Sequence, residues 1–330
     1  MSADPSLDAI LIEWGDRLFY PGNRIVKSRT PRLRWGTSRA SFIRSRIEAA
    51  VRRAPQVMVK VTGGGRGMAA IRAHFRYISR NGKLEVEDDR GITREGKAAL
   101  HDLTEQWQHG GSFIDETSHR REAFNVMLSM PRGTDPLIVQ RAAREFAHTE
   151  LKGHRYVMAL HDDQANPHVH ISVRAESRDG ERLNPRKPDV QRWRETFAEK
   201  LRDWGVDAEA TRQAARGQVR NYAPIWRVKA AEERRLNGDR PLKRSGEGFA
   251  RSQAFAKEAW DRILEGLAKS ESPEDRTLAE LADRFVHSTP FAVGKKREPE
   301  LGQQQQRTRV ASDPRVAAVS REDGGIERSR

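Results

Sequence analysis

Cysteine is absent from this chain, which excludes disulfide bonds and metal sites built on thiolate ligands. Long apolar runs are absent too: no stretch of about 18 apolar residues occurs, so no membrane insertion is predicted. The N-terminus lacks the charged, apolar and small-residue regions of a Sec-type signal. Together these absences suit a cytoplasmic protein without requiring one.

Acidic residues are outnumbered by basic ones. The 330 residues contain 47 Asp and Glu against 61 Lys and Arg, which leaves a formal charge of +14. A balance this basic indicates a nucleic-acid partner, with an anionic membrane surface as the alternative. The length is ample for a hydrophobic core, in one large domain or two small ones.

The first 55 residues are especially basic. Ten Lys and Arg residues occur between Arg24 and Arg53, against Glu48 alone, a net charge of +9. Such blocks are usually solvated arms that bind polyanions. We therefore interpret residues 1–55 as a basic N-terminal extension that either contacts a phosphate backbone or simply solubilises the chain. Apolar residues at helical spacing, from Phe42 to Val51, predict a helix over 41–54.

A short apolar run over 57–61 predicts a strand, and a glycine-rich loop follows it at 62–67. The loop lacks the Gly-Lys-Ser/Thr ending of a Walker phosphate loop. Its glycines indicate either a close approach of a sugar-phosphate backbone or an ordinary turn. Arg66, which lies between them, is a candidate DNA contact.

Three of the ten histidines, His161, His168 and His170, lie within ten residues. Residues 168–173 alternate polar and apolar side chains, the period of a half-buried strand, so the latter two leave one face together. Residues 155–160 predict a second strand, and the Asp, Gln, Asn and Pro residues between the strands predict a hairpin. Three imidazoles on rigid strands can hold a divalent cation and leave positions open for water or substrate. A hairpin with ordinary surface histidines is the alternative.

The same stretch resembles the His-x-Asp-x-x-x-Pro-His-x-His motif of the relaxases, the HUH endonucleases that nick plasmid DNA for conjugation. The resemblance implies that His161, His168 and His170 are metal ligands, and that the metal is Mg²⁺ or Mn²⁺. Imidazole ligands by themselves suit zinc equally well. Asp163 is expected either to orient a ligand imidazole or to accept the proton of a nucleophile.

A tyrosine nucleophile is also required by this family. Apolar residues at helical spacing, among them Phe75 and Ile78, predict a helix over 68–80 that stops at Asn81-Gly82. Tyr77 lies roughly 140° from the centre of that apolar stripe. The sequence after it resembles the Tyr-Leu-Ser-Arg-Lys-Gly-Lys-Leu-Glu segment around the nucleophile of T-DNA border endonucleases, and reads here Tyr77-Ile78-Ser79-Arg80-Asn81-Gly82-Lys83-Leu84-Glu85. Tyr20, Tyr156 and Tyr222 have no such match.

The resemblance extends over about residues 56–236. An amphipathic helix is predicted over 188–204, and the Arg-Gly element at Arg216-Gly217 after it resembles the border endonucleases again. The loop differs from some relatives, because Ala165 replaces an acidic residue. We predict that five basic residues of this region contact DNA: Arg66, Arg80, Lys83, Arg216 and Arg220.

The irregular alternation of helices and strands, with at least one hairpin, predicts an α+β fold. The resemblance implies a central antiparallel sheet that carries the three-His site and is flanked by helices, the HUH relaxase fold. We divide the chain into the extension at 1–55, the catalytic domain at 56–236, a helical region at 237–290 and a disordered basic tail at 291–330. In relaxases such a tail often carries a type IV secretion signal.

The predicted function is site- and strand-specific DNA nicking and rejoining through a 5′-phosphotyrosyl intermediate, which initiates conjugative or mobilisation transfer. The expected partners are single-stranded origin-of-transfer DNA, accessory relaxosome proteins and a type IV coupling protein. We expect a bacterial cytoplasmic protein that is translocated with the transferred strand. Two alternatives stay open: a metal-dependent hydrolytic nuclease without a covalent intermediate, and a non-catalytic DNA-binding mobilisation accessory protein. A metalloprotease is disfavoured because His-Glu-x-x-His is absent.

Overall fold

The computed structural model of the protein describes residues 6–19, 37–218 and 246–290. Tyr20, Tyr222, Arg220 and the predicted tail at 291–330 lie outside the described residues. None of the helices in the described ranges is long and apolar enough to cross a membrane.

One antiparallel sheet organises the middle of the chain. Its strands are β1 (Met58–Gly63), β2 (Val86–Asp88), β3 (Thr93–Arg94), β4 (Ala123–Ser129), β5 (His154–His161) and β6 (His168–Ser177), in the order β1-β4-β6-β5-β2-β3. The central pair, β5 and β6, is the predicted hairpin, with His161 opposite His168 and Ala159 opposite His170. Strand β4 lies along the other side of β6 and pairs Met127 with His170. The predicted α+β fold with a central antiparallel sheet is confirmed.

Helices cover both faces of the sheet. On one face lie α5 (Pro136–Glu150) and α6 (Lys187–Asp203), which pack large side chains such as Phe146 and Trp193 against Val169 and Ile171 of β6. On the other face lie α3 (Met68–Ile78) and α4 (Lys97–His109), which pack against Ala159 of β5. Asp135 caps α5 by accepting from the Leu137 amide, as its position before Pro136 predicts.

Strand β6 is buried on both faces, so the prediction of a half-buried strand is wrong. The polar alternate residues His168, His170, Ser172 and Arg174 are all less than 7% exposed. The reason is tertiary: α3 and α4 lie over the face that carries them. Polar side chains in a strand usually mark a solvated face, but here they line the interior of a site.

A second hydrophobic core is built by helices from both ends of the chain. It joins α1 (Leu7–Phe19) and α2 (Thr37–Val51) to α7 (Glu247–Ala268) and α8 (Pro273–His287). Trp260 of α7 is fully buried in it, edge-on to Phe19 and 6.3 Å from that ring. Residues 6–19 and 37–51 are therefore part of a packed helical unit with residues 247–287.

Among the basic residues of 24–53 that the structure describes, the prediction of a solvated arm is wrong for Arg39, Arg44 and Arg46, which are partly or fully buried, whereas Arg52 and Arg53 are exposed. Each of them contacts another part of the fold. Arg44 pairs with Asp275 at 2.7 Å and with Asp8 at 3.0 Å, so it links three helices. The others contact four further partners: Arg39 binds Asp16, Arg46 binds Glu209, Arg52 lies near Asp207 and Arg53 donates to Ser288. Helix packing places these cations beside carboxylates and the Ser288 hydroxyl, a pairing that the linear charge count cannot reveal.

The buried ion pair between Arg46 and Glu209 joins the helical unit to the sheet domain. The Arg46 Nη1 and Glu209 Oε2 atoms are 2.6 Å apart, and both side chains are less than 5% exposed. The Glu209 backbone in turn bonds to Pro55 and Val57, next to β1. Removing one charge of such a pair leaves the other buried without its counter-ion, at a cost of about 3–5 kcal/mol.

We therefore predict that Glu209→Gln lowers the free energy of unfolding by about 3–5 kcal/mol. The matched control is Asp261→Asn, which breaks the exposed pair with Lys257 on α7 and should cost at most about 1 kcal/mol. Chemical denaturation of both variants measures the difference. Equal effects would mean that the buried pair does not hold the two parts together.

Candidate metal and nucleophile site

The three histidines of the hairpin converge on one point of the sheet. One ligand atom from each of His161, His168 and His170 lies within 4.8 Å of the other two, and all three side chains are buried. Their ring centroids are 4.7–5.1 Å apart. The register explains this convergence, because His161 is directly opposite His168, and His170 is two residues further along the same face.

Backbone carbonyls orient two of the rings. His161 donates from Nε2 to the Ile78 carbonyl at 2.8 Å, and His168 donates from Nδ1 to the Asn166 carbonyl at 3.0 Å. A carbonyl only accepts, so these bonds leave the other nitrogen of each ring with a free lone pair. That is the outer-shell arrangement that metal-binding histidines usually show.

The free nitrogens fit a metal. His161 Nδ1 and both nitrogens of His170 are buried and have no hydrogen-bond partner among the described residues. Burial, followed by the nearby His161 and His168, lowers the pKa of His170 to about 3. Burial also lowers the pKa of His161. Neutral imidazoles with buried lone pairs at one point are the donor set of a divalent cation, so the predicted metal site fits the structure.

Tyr77 lies over this cluster. Its ring centroid is 5.3 Å from that of His170 and 6.1 Å from that of His161, and 51% of the residue is exposed. The apolar stripe of α3 explains this position: Met68, Ile71, Phe75 and Ile78 are buried against the sheet, so the opposite side of the helix is open. Tyr77 is thus reachable from solvent and adjacent to the cluster.

One of these histidines, His161, also fixes the end of α3. The last carbonyls of a helix lack donors within it and need hydrogen-bond donors from elsewhere. Here Arg76 and Tyr77 accept from the amides that follow the helix, and Ile78 accepts from His161. One side chain of the three-His cluster therefore caps the helix that carries the tyrosine.

His74 is a site residue that the sequence reasoning did not assign. It precedes Tyr77 by one helical turn, its ring lies 6.1 Å from Tyr77 and 6.3 Å from His170, and its Nδ1 is buried without a partner among the described residues. Burial, followed by His161, lowers its pKa to about 4. The available signal was the His-x-x-Tyr spacing, which places both rings on adjacent positions of a helix face.

Asp163 is held by Arg80. Among the described residues, no hydrogen bond joins it to His161, His168 or His170. Arg80 Nη2 donates to Asp163 Oδ2 at 2.8 Å, and the guanidinium lies 6.0 Å from the Tyr77 ring. Burial opposes the shift, but the Arg80 hydrogen bond and charge outweigh it and lower the pKa of Asp163. One predicted role of Asp163 was to orient a ligand imidazole, but backbone carbonyls orient His161 and His168 instead. Its option as a proton acceptor stays a prediction.

Arg80 reaches Asp163 from a left-handed turn. Arg80, Asn81 and Gly82 have φ values of 51°, 60° and 82° in succession. A non-glycine residue in this conformation costs about 1–2 kcal/mol, which the surrounding contacts must offset. The turn that the sequence places at Asn81-Gly82 therefore begins one residue earlier, and it aims Arg80 at the hairpin loop.

The other predicted DNA contacts are spread more widely. Arg66 and Lys83 are exposed, on the loops before and after α3. Arg216 is half-buried in the segment that packs on the helical unit, where the neighbouring Ala215 carbonyl accepts from Trp260 at 2.7 Å. Arg80 lies at the cluster region, where it contacts Asp163 and the Tyr77 ring. The DNA roles of all of them stay predictions.

The glycine loop before α3 turns tightly inside the protein. A Cβ on Gly64 would clash with the Ala123 carbonyl, and one on Gly67, at φ 98°, would clash with the Glu116 carbonyl. Of the two options that the sequence leaves open, the ordinary turn accounts for these glycines.

The chain is similar to known proteins of one family. Residues 77–206 match the family model of relaxase, the MobA/VirD2-like nuclease domain, a match that begins at Tyr77 and includes all three histidines. The chain is 26% identical over 208 residues to the T-DNA border endonuclease VirD2 of Agrobacterium fabrum and 27% identical over 205 residues to that of Rhizobium radiobacter. The resemblance to the relaxases that the sequence predicts is confirmed.

Each of these two alignments covers 55% of this chain and 46% of the relative. The chain thus spans about half the length of the curated relatives it matches. A solved structure titled "Molecular Basis of Vancomycin Resistance Transfer in Staphylococcus aureus" covers 48% of this chain at 14% identity, with a TM-score of 0.30.

We predict that His161→Ala, His168→Ala and His170→Ala each weaken Mn²⁺ binding by about 100-fold or more, because loss of an outer-shell partner alone costs about 10- to 100-fold. Isothermal titration with Mn²⁺ measures this directly. His119→Ala, in an exposed loop, is the matched control and should bind as the wild type does. Unchanged affinity in any of the three variants would remove that histidine from the ligand set.

Proposed function

We propose that the protein nicks and rejoins one DNA strand at a specific site, with Tyr77 as the nucleophile. The observation that carries the proposal is the position of Tyr77. Its side chain is exposed, its ring centroid lies 5.3 Å from that of His170, and His161 caps the end of its helix. Tyr156, the other tyrosine in the described ranges, is 3% exposed, and burial raises the pKa of its hydroxyl. Of these two tyrosines, only Tyr77 can be approached by a substrate phosphate.

In the proposed reaction the Tyr77 hydroxyl oxygen attacks the scissile phosphorus. A bond forms between that oxygen and phosphorus, and the bond from phosphorus to the 3′ oxygen of the preceding nucleotide breaks. The tyrosine proton leaves to an acceptor, and the departing 3′ oxygen gains one, so a free 3′-OH and a 5′-phosphotyrosyl link result. The reverse attack by a 3′-OH rejoins the strand, and no energy source is needed because the number of ester bonds is unchanged.

His161, His168 and His170 would hold a divalent cation beside Tyr77. Such a cation supplies charge that polarises a phosphate and stabilises its developing negative charge. Mg²⁺ or Mn²⁺ is our proposal for its identity, in line with the relaxase resemblance. The protein's own part is positional: two rings are fixed by carbonyl acceptors, and the tyrosine is fixed by the apolar stripe of α3.

Arg80 and His74 flank the nucleophile and act on the phosphate in this proposal. Arg80 brings a permanent positive charge to within 6.0 Å of the Tyr77 ring, and the Asp163 contact sets its direction. His74 presents a buried ring nitrogen beside both Tyr77 and His170. Fixed donors around the position of a developing charge lower a barrier without reorganisation during the reaction.

The partner in this proposal is single-stranded DNA from an origin of transfer. The net charge of +14 supports binding through phosphate contacts, and the T-DNA border endonucleases to which the chain is similar act on DNA by name. We propose further that the nick begins conjugative or mobilisation transfer, with accessory proteins and a type IV coupling protein as partners.

Tyr77→Phe should fold and bind DNA as the wild type does, yet form no covalent adduct. Tyr77 is exposed, so the stability change should stay within about 0.5 kcal/mol. Phenylalanine has no oxygen with which to attack. A denaturing gel of the protein with labelled single-stranded origin DNA and Mn²⁺ shows the adduct, and mass spectrometry of its peptides should place the nucleotide on Tyr77.

Tyr156→Phe is the matched control, and it should form the adduct at the wild-type level because its hydroxyl is buried. Cleavage by Tyr77→Phe without an adduct would favour the hydrolytic nuclease, in which water attacks. An adduct on Tyr20 or Tyr222 would transfer the role to a tyrosine outside the described residues.

Loss of one ligand should separate chemistry from binding. We predict that His170→Ala forms no adduct at limiting Mn²⁺ but keeps most of its DNA affinity, since affinity comes mainly from phosphate contacts over the basic surface. Fluorescence anisotropy with the same labelled strand measures the affinity. A wild-type rate of adduct formation would contradict the proposed role of the cation.

A further inference from the structure

A cleft of about 440 Å³ lies between α3 and α4. Polar side chains line both walls and are spaced one helical turn apart along each helix. They are Arg72 and Arg76 on α3, and Lys97, His101 and Glu105 on α4. Arg76 is the residue immediately before Tyr77, and the two side chains leave α3 about 100° apart. The cleft and the proposed nucleophile therefore share one turn of one helix.

The cleft is preformed by tight packing beneath it. Phe75 of α3 meets Trp107 of α4 edge-on, with ring centroids 4.9 Å apart, and the buried Leu100 and Thr104 also line the cleft. One end is closed where the Gly96 amide donates to the Gly82 carbonyl at 3.0 Å. A Cβ on Gly82 would lie 2.8 Å from the Gly96 carbonyl carbon, so the two chain segments touch. Such a cleft needs little rearrangement before it binds a ligand.

The cations of this cleft are available. Arg76, Lys97 and His101 are exposed, and no side-chain hydrogen bond or ion pair engages them within the described ranges. Arg72 differs, because Glu116 binds it. The one carboxylate among the lining residues, Glu105, lies two helical turns beyond Lys97. Most arginines of the sheet domain that have a described contact pair with carboxylates. Arg76 and Lys97 differ from them, because no carboxylate within the described ranges pairs with either.

We propose that the cleft binds one nucleotide of the single-stranded DNA that is nicked at Tyr77. Arg76 and Lys97 hold a backbone phosphate, and Asn81 and Glu105 offer an amide and a carboxylate to the edge of the base. The volume lies in the range of about 300–1,000 Å³ of small-ligand sites, which is room for one nucleotide and too little for a duplex. A strand joined to Tyr77 reaches the cleft by crossing the exposed side of α3. The inference rests on the proposed function.

The test compares two double variants of the full chain that lose equal charge. Arg76→Ala with Lys97→Ala removes the proposed phosphate contacts. Lys152→Ala with Arg251→Ala removes an exposed lysine and an exposed arginine that do not line the cleft. Anisotropy with fluorescein-labelled (dT)30 at several salt concentrations gives the slope of log affinity against log salt. Each lost phosphate contact lowers that slope by about 0.7 on a single strand.

Because Arg76 and Lys97 hold one phosphate between them, the cleft variant should lower the slope by about 0.7, and the control variant should leave it near the wild-type value. All four positions are exposed, so thermal melting of both variants should match the wild type. Equal slopes in the two variants would overturn the cleft as a subsite, even if the wild type forms its Tyr77 adduct with origin DNA. A wild type that binds (dT)30 with the expected slope change but forms no adduct would instead refute the nicking proposal and leave the cleft as a DNA site.

Discussion

The hydrogen bond from His161 Nε2 to the Ile78 carbonyl, 2.8 Å long and buried, joins the two halves of the site. At one end it satisfies a carbonyl of the last turn of α3, which would otherwise be buried without a partner. At the other end it fixes the tautomer of a histidine in the three-His cluster. Ile78 follows Tyr77 directly, so this contact, together with the buried apolar stripe of α3, sets the distance between Tyr77 and the three-His cluster. A shift of α3 along its axis would break the bond and move the tyrosine with it.

The sheet supplies the rigidity that this contact needs. β6 is bonded on both sides, to β4 and to β5, and helices cover both of its faces. Its histidines are therefore held by backbone pairing and by packing at the same time. Ala159, directly opposite His170, leaves room above the cluster for the Tyr77 ring. A site held by strands and a helix keeps its geometry more closely than one built on loops alone.

Positive charge serves two separate purposes in this fold. Arg44 and Arg46 are paired with carboxylates where helices meet, so their charges hold the helical unit together and to the sheet domain. Arg76 and Lys97 are exposed and without such partners in the described ranges, and they line a cleft beside the proposed nucleophile. The count of 61 Lys and Arg residues therefore overstates the cations that are free for a polyanion, because those paired with carboxylates are already neutralised. The distinction is a matter of packing and not of composition.

Local patterns in the sequence determined the hairpin, the shared face of His168 and His170, and the outward direction of Tyr77, because strand and helix periods act over a few residues. The motif then predicted the family resemblance, which the comparisons confirm. Contacts between distant segments were decided only by the tertiary structure. The burial of β6 on both faces, the capping of α3 by His161, the place of His74 beside His170 and the pairing of Arg46 with Glu209 all join residues far apart in the chain. Spacing along a chain carries no information about which remote carbonyl or carboxylate a side chain will meet, since that depends on how whole helices and sheets bury their apolar faces.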